Sequence, residues 1–417
     1  MKIVYVKTSA ESSNYVVHGL GLLSAIAQQH GHESWWFNPH APQQLSLVGI
    51  SRAAITCCSE GFSAAVHVAR QLKRVGVEVW VGGPHPTFRP KEFVEAGCFD
   101  YIVRGEGEVV WDMASAGVRF PTPVIAGDSP ADLDSLPFAD RRQEIDYWAH
   151  GERPPPILSA KHPPPHRCVL AGRGCRFNCA FCKPGTDLLF GKRTRRRTVA
   201  NVLAEIDGLN GCGSLFVHDD NLLEDRVWLE EFAKGWSERG SKPWMMQARA
   251  DLVTRRFELL KTCKEAGLAA VIVGFESGSD AVLSRMRKGC TLQHNKEAAE
   301  MLHWLGIDIQ ANVMFGNPGE TKEDVLATLA MIKEHLFPCV VSPAVFTPYP
   351  GSEWGDQLEK DGLSAVKDHD FSRYIGGRKL DEKAMGYTYD WLYGEMERFW
   401  RDNEGEVMGG LLTRARQ

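Results

Sequence analysis

Three cysteines stand in the run Gly174-Cys175-Arg176-Phe177-Asn178-Cys179-Ala180-Phe181-Cys182, a C-x3-C-x2-C spacing that follows directly on the stretch CVLAGRG. Three thiolates on one tight loop can hold three irons of a 4Fe-4S cluster and leave the fourth iron open to a further ligand. A structural zinc site needs a fourth ligand at close spacing. The nearest candidates, His166, Cys168 and Cys212, form no second C-x2-C or His pair. Cys57, Cys58, Cys98, Cys263 and Cys339 lie in apolar surroundings and read as small buried hydrophobes.

Other candidates stand where strand patterns end. Gly82 and Gly83 close VEVWVGG, and glycines there let the backbone approach a bulky planar ligand. A dinucleotide site would need G-x-G-x-x-G after the first strand, and TSAESSNYVVHG supplies none. Arg249, within MMQARAD, can grip a carboxylate as a fork or serve as a buried ion-pair partner. Asp219 and Asp220 end LFVHDD, where a helix N-cap is the plain alternative.

Two alternating regions must position these residues. Over 1–115, KIVYVK, SLVGIS, VEVWVGG and FDYIVRG alternate with helical patterns over 20–30 and 62–75, which implies a parallel, doubly wound sheet. Its ligand belongs at the carboxyl ends of the strands, where 8–15, 51–59, 82–87 and 105–108 are expected to fall. The stretch 120–166 is proline-rich and reads as a connector. From 168 to about 350, CVLAGRG, LFVHDD, MMQARAD, AAVIVGFESG, IDIQANVMFG and VVSPAVF alternate with helices, a partial six-stranded parallel barrel with its chemistry at the strand carboxyl ends. The tail 380–403 reads as one amphipathic helix. The expected domains are 1–118, a linker 119–166, 167–355 and a helical tail 356–417.

Composition narrows the partners. With 48 basic and 53 acidic residues the net charge is -5, which gives no general attraction to nucleic acid or anionic membrane. The start MKIVYVKTSA lacks a signal-peptide apolar run and no stretch of about 18 apolar residues follows, so a cytoplasmic chain is expected. Eleven cysteines without a secretory signal argue against a disulfide framework. The basic run from Lys192 to Arg197 lacks aromatic interleaving and reads as a solvated helix entry, with a cofactor or substrate contact as the alternative.

The cysteine run, with Phe181 before its third cysteine, resembles the signature of the radical S-adenosylmethionine (SAM) superfamily. GFESG at 274–278, FGNPGET at 315–321 and TPYPGS at 347–352 are similar to later segments of that superfamily. The resemblance implies a cluster on Cys175, Cys179 and Cys182 whose open iron chelates SAM and cleaves it to a 5′-deoxyadenosyl radical. It implies SAM contacts from Phe181, Asp219, Arg249, Glu276, Ser277 and Phe315, with Asp219 near the amino group and Glu276 on the ribose.

The first region resembles the cobalamin-binding domain found ahead of many such enzymes, through HGLGL at 18–22, VGIS at 48–51, VGGPHPT at 81–87 and VRGEGE at 103–108. That implies cobalamin contacts from Ser51, Gly82, Gly83, Pro84, His85, Gly105 and Glu106. His18 keeps the H-x-x-G of cobalt-ligating histidines, but Val16 stands where their aspartate belongs, so helix-start packing is its alternative. Asn14 and Tyr15 are then candidates to cover the cobalt face.

Together these features resemble the cobalamin-dependent (class B) radical SAM methyltransferases, which implies methylation of an unactivated carbon by way of methylcobalamin. Ring formation, ring contraction or oxidation of a natural-product precursor is the alternative, and a non-catalytic corrinoid carrier a second. The short tail leaves the barrel mouth open. A peptide or protein acceptor, such as a residue of methyl-coenzyme M reductase, is therefore favoured over a small molecule, with flavodoxin or ferredoxin as electron donor and a monomer expected. Tyr374 and Tyr387 are read as lining the substrate channel, with core packing as the alternative.

Overall fold

The computed structural model describes residues 1–8, 18–37, 48–142, 166–209, 212–337, 339–366 and 377–403. Asn14, Tyr15 and Tyr374 lie outside these residues.

The first sheet contains β1 (Lys2–Lys7), β2 (Glu33–Phe37), β3 (Ile50–Thr56), β4 (Glu78–Gly82), β5 (Tyr101–Arg104) and β6 (Val124–Ala126). Their spatial order is β2-β1-β3-β4-β5-β6, and every pair is parallel. Successive side chains of a strand point to opposite faces. Val4 and Val6 accordingly pack with Ala65, Val68, Ala69 and Leu72, one stripe of the helix Phe62–Arg74. Ile3 and Tyr5 pack on the other face with Leu20 and Ile26 of the helix His18–Gln29 and Val110 of the helix Glu108–Ser115. Both faces are covered, as a doubly wound sheet requires. Because β2 and β3 flank β1 on opposite sides, the chain switches direction there and leaves a crevice beyond the carboxyl ends of β1 and β3.

The sheet corrects two readings. The apolar run SLVGIS stops where the strand begins, because Gly49 turns with φ of 78° and β3 starts at Ile50. Ser51 therefore lies exposed at the amino end of β3, opposite the ligand edge, and cannot contact a cofactor held there. Arg52 masked the strand. Its guanidinium lies over the rings of Trp80 and Trp111, and its Nε donates to Glu78 at 2.6 Å, so a cation sits on a buried strand. The sheet also takes in the edge strand β2 and the three-residue β6, which carries it past residue 118.

The second sheet contains β7 (His166–Val169), followed after the small strands β8 (Gly172–Arg173) and β9 (Arg195–Arg196) by β10 (Ser214–Val217), β11 (Trp244–Arg249), β12 (Leu268–Glu276), β13 (Asp308–Phe315) and β14 (Val340–Val345). Its order β14-β13-β12-β11-β10-β7 is sequential and all parallel, a six-stranded partial barrel. Cys168, Phe216, Met245, Ala270 and Ile272 form a separate inner cluster, while Val169, Leu215, Val217, Trp244 and Val271 join the larger core with the surrounding helices. Helix starts are fixed locally. Thr291 with His294 and Thr321 with Asp324 form capping boxes, and Thr198 accepts from the Asn201 amide. The last helix is Tyr389–Asp402, capped by Thr388 and preceded by a short turn at Glu382–Ala384, so Tyr387 precedes the helix instead of riding on it. Among the described residues no helix is long and apolar enough to cross a membrane.

Candidate active site

The cysteine loop is stapled at its base. β8 and β9 pair antiparallel, Gly172 with Arg196 and Arg173 with Arg195, and this ladder closes 174–194 into one loop. A Cβ at Gly172 would stand 3.0 Å from both the Arg195 carbonyl and Asp219 Oδ2, so any larger residue would press the two strands apart by a few tenths of an ångström. Inside the loop the amides of Cys182 and Lys183 both donate to the Cys179 carbonyl, at 3.0 and 2.8 Å, and Ala180 N donates to Met286 O at 2.9 Å. Lys183 Nζ donates to the Cys175 carbonyl at 2.6 Å. Among the described residues no three His, Cys, Asp or Glu side chains gather as a single metal ion requires.

Arg249 leaves the end of β11 and reaches this loop. Its Nη1 stands 3.5 Å from Cys179 Sγ, its Nη2 donates to the Lys288 carbonyl, and its guanidinium lies 3.7 Å from the centre of the Phe177 ring. It is also an ion-pair partner, with Nε 3.0 Å from Asp251 Oδ1. Glu276 ends β12 with φ of 62°, and its Oε1 accepts from Lys288 Nζ at 2.7 Å. Burial pulls the Lys288 ammonium down, but Glu276 outweighs it and the pKa is raised. The ammonium lies 6.0 Å from the centre of the Phe181 ring, so Phe181, Glu276 and Arg249 share one end of the barrel. Nothing in the spacing of Lys288 marked it in advance.

Four other expected contacts are committed elsewhere. Ser277 is fully buried; its hydroxyl lies 3.1 Å from that of Thr328 and accepts from the Ser279 amide at 3.1 Å, so it braces the turn after β12. Phe315 is fully buried in the core. Asp219 accepts from Ala171 N at 2.7 Å and from Arg196 Nη1 at 2.7 Å, tying β10 to the staple. Its neighbour Asp220 lines the central cavity instead; burial, with Asp219 close by, raises its pKa to about 6. Tyr387 is buried with its hydroxyl donating to Glu320 and accepting from Gly316 N at 3.0 Å. It does not line that cavity, which corrects the channel reading: the ring and hydroxyl lock the tail onto the segment after β13.

The cavity encloses about 280 Å3 between the carboxyl ends of the two sheets. The first domain supplies Gly82, Gly83, Pro84 and Gly105, and the barrel supplies Leu170, the staple residues 172–174, His218 and Asp220. Gly83 has φ of 104°, and a Cβ there would stand 3.0 Å from Thr56 Oγ1 and 3.1 Å from the Cys57 carbonyl. Glycine at 83 is thus required by the close approach of Thr56 and Cys57, and with Gly82 and Gly105 it leaves this wall of the cavity without side chains, a glycine cradle. His85 is not part of it: Nδ1 lies 3.1 Å from Ser59 Oγ and Nε2 3.0 Å from Glu92, which turns the imidazole back into the first domain. His18 reaches across the cavity wall to the barrel, with Nε2 3.5 Å from Cys168 Sγ, and burial holds its pKa well below 6.5. Burial also lowers His218, to about 4.

The domains are joined through Glu106 and Glu108. Glu106 accepts from Arg195, and Glu108 accepts from Arg173 at 2.7 Å, so both strands of the staple are held by the first domain. Lys192 and Arg193 at the start of the basic run are exposed, but Arg195, Arg196 and Arg197 are paired. Arg196 bonds Asp219, and Arg197 bonds Glu205 at 2.5 Å and the Leu170 carbonyl at 3.0 Å. The acids that receive these arginines are remote in the chain, which is why the run reads as a loose helix entry.

Comparison with known proteins gives two domain matches, the Radical SAM superfamily over residues 169–332 and the B12 binding domain over residues 10–112. An uncharacterized methyltransferase of Pyrococcus horikoshii is 29% identical over 327 residues, 72% of this chain and 67% of the relative. The anaerobic magnesium-protoporphyrin IX monomethyl ester cyclase of Cereibacter sphaeroides is 28% identical over 343 residues, 74% of this chain and 53% of the cyclase. Among solved structures, the radical S-adenosylmethionine methyltransferase TsrM from Kitasatospora setae, with cobalamin and a [4Fe-4S] cluster bound, superposes with a TM-score of 0.65 at 16% identity, covering 88% of this chain and 81% of TsrM. It shares the fold. A 4Fe-4S cluster, SAM and cobalamin are the cofactors that accord with this pair of domains.

Proposed function

From a chain that joins a B12-binding domain to a radical SAM domain, we propose a cobalamin-dependent enzyme that methylates an unactivated carbon of a small, largely apolar acceptor. The observation that carries the reading is the shared cavity, with the glycine cradle of the first domain on one wall and the staple of the cysteine loop on the other.

Cys175, Cys179 and Cys182 would hold the cluster, and the cradle would hold the corrin. When bound, these groups with SAM supply a carbon radical that removes hydrogen from the acceptor and a methyl group that replaces it. The chain's own part is positioning. Arg249 would offer its Nη1, beside Cys179, to the SAM carboxylate, and the Glu276–Lys288 pair a carboxylate for its ribose. Trp80, Val103, Leu170, Leu189 and Phe190 make the cavity wall apolar, which keeps water from a reactive carbon centre. Glu106 and Glu108 fix the distance between the two cofactor seats by holding the staple.

A tetrapyrrole-like or terpenoid-like acceptor replaces the peptide suggested by the short tail, because the Cereibacter sphaeroides relative is named for a macrocyclic substrate and the wall here is apolar. That same relative supports a second reading, ring closure on such a molecule. Anaerobic turnover with candidate acceptors separates the two. Methylation yields S-adenosylhomocysteine and 5′-deoxyadenosine in equal amounts with a methylated product; 5′-deoxyadenosine alone, with a product lacking the added methylene, rules methylation out.

A further inference from the structure

One phenylalanine of the first domain is seated on the barrel just past the third cysteine. Phe88 ends the short helix Pro84–Phe88, which leaves the glycine cradle. Its ring lies on two barrel glycines. A Cβ at Gly351, where φ is 82°, would stand 2.6 Å from ring atoms Cγ and Cδ1, so only glycine seats the ring there. A Cβ at Gly185 would stand 3.3 Å from Cζ and 3.2 Å from the Gly351 carbonyl. Among the described residues, Phe88 is part of neither core of its own sheet, so packing within its own domain does not account for the ring.

Both sides of this socket are stiff. Thr87 Oγ1 donates to the Gly83 carbonyl at 2.8 Å and accepts from Gly105 N at 2.9 Å, which ties the residue before Phe88 to two glycines of the cradle. On the barrel side, Lys183 N donates to the Cys179 carbonyl at 2.8 Å, and the Lys183 carbonyl accepts from Glu353 N at 2.7 Å. Pro184 forms a bridge with Ser352, so Gly185 and Gly351 are held side by side. Arg89 closes the socket: its Nη2 donates at 2.9 Å to Asp356 Oδ1, the oxygen that also accepts from Gly351 N at 3.0 Å.

We propose that Phe88 is a positioning residue, whose ring in the socket of Gly185 and Gly351 sets the tilt of the cysteine loop against the glycine cradle. The staple joins the domains on the Cys175 side through Glu106 and Glu108, and Phe88 joins them on the Cys182 side. With the three cysteines between two anchors, one domain cannot rock on the other without unseating the ring. The proposal rests on the function given above, in which both cofactors serve one reaction. A misplacement of about 1 Å can then cost about 100-fold in rate.

The test compares wild type, Phe88→Ala, Phe88→Leu and Val68→Ala, the last a truncation in the first-domain core away from the socket. In chains loaded with cluster and cobalamin, pulsed electron paramagnetic resonance reads the magnetic interaction between the reduced cluster and cob(II)alamin, which depends on their separation. Phe88→Ala is expected to shift or broaden that interaction with both cofactors fully loaded, and Phe88→Leu, which keeps an apolar plug, to recover most of it. Val68→Ala should lower the melting temperature and leave the interaction at the wild-type value. In chains without cofactors, the Cys182 and Lys183 amides should exchange hydrogen about tenfold faster in Phe88→Ala than in wild type. A wild-type interaction in Phe88→Ala, or wild-type exchange at those amides, overturns the proposal. So does an equal change in Val68→Ala, because general destabilisation would then explain it. Wild type that takes up its cluster and binds no corrinoid overturns the function on which the proposal rests, while the exchange rates still decide whether Phe88 anchors the loop.

Discussion

The guanidinium of Arg249 stands 3.5 Å from Cys179 Sγ while its Nε is held 3.0 Å from Asp251 and its Nη2 by the Lys288 carbonyl, so Nη1 is the atom turned to the cysteine loop. Arg249→Met should therefore leave iron content intact and weaken SAM. A charge-assisted hydrogen bond contributes about 1.5–3 kcal/mol, or roughly 10- to 150-fold in affinity. Perturbation of the reduced-cluster electron paramagnetic resonance signal by SAM reports it; an unchanged SAM titration would remove Arg249 from the site.

Tyr387 is expected to act on stability alone. Tyr387→Phe takes the hydroxyl from buried Glu320 and Gly316 N, and leaving such groups unmatched costs about 1–3 kcal/mol. Melting temperature should fall by several degrees, while product formed per 5′-deoxyadenosine stays at the wild-type value. A loss of that coupling without a change in melting would return Tyr387 to the substrate channel.

Acid should loosen the joined domains through two neutral histidines. Burial puts His218 at about 4 and His18 well below 6.5, so the unfolded chain binds more protons than the folded one below about pH 6.5. Stability from these residues is fully present above that pH and is lost as pH falls toward 4, on the order of 3 kcal/mol for His218 alone. His218→Gln should flatten the decline of melting temperature over this window. An equal slope in the variant would mean His218 is protonated in the fold.

Arg195→Ala leaves Glu106 buried beside the cavity with one cation fewer, and breaking one partner of a buried pair costs about 3–5 kcal/mol. The staple should loosen from the first domain, seen as faster proteolysis within 127–142 in the variant than in wild type. Matching cleavage rates would show that the domains are held by other contacts.

The strand patterns and the cysteine triad were legible because each is local: parallel strands buried on both faces are continuous apolar runs, and cluster ligands are close in sequence. Contacts that depend on distant partners were not. Ser51 was misplaced because Arg52 broke the apolar run, and its shelter between Trp80 and Trp111 comes from two other elements. Of the neighbours Asp219 and Asp220, both past the end of β10, one turns into the staple and the other to the cavity, and the sequence does not say which. Glu106 was expected as a cofactor contact; its second role, receiving Arg195, appears only once the two sheets are docked. Lys288 follows a short helix and gains meaning only from Glu276.

Under the proposed function, a cluster on Cys175, Cys179 and Cys182 and a corrin in the glycine cradle would act together to methylate carbon. The direct measurement is anaerobic turnover with SAM bearing a deuterated methyl group and a panel of tetrapyrrole and terpenoid acceptors, read by mass spectrometry for wild type and Cys179→Ala. Wild type is predicted to place the labelled methyl on acceptor carbon in an amount equal to the 5′-deoxyadenosine released, and Cys179→Ala, still loaded with cobalamin, to place none. Label transfer by Cys179→Ala, or 5′-deoxyadenosine from wild type with no label in the acceptor it consumes, would contradict it.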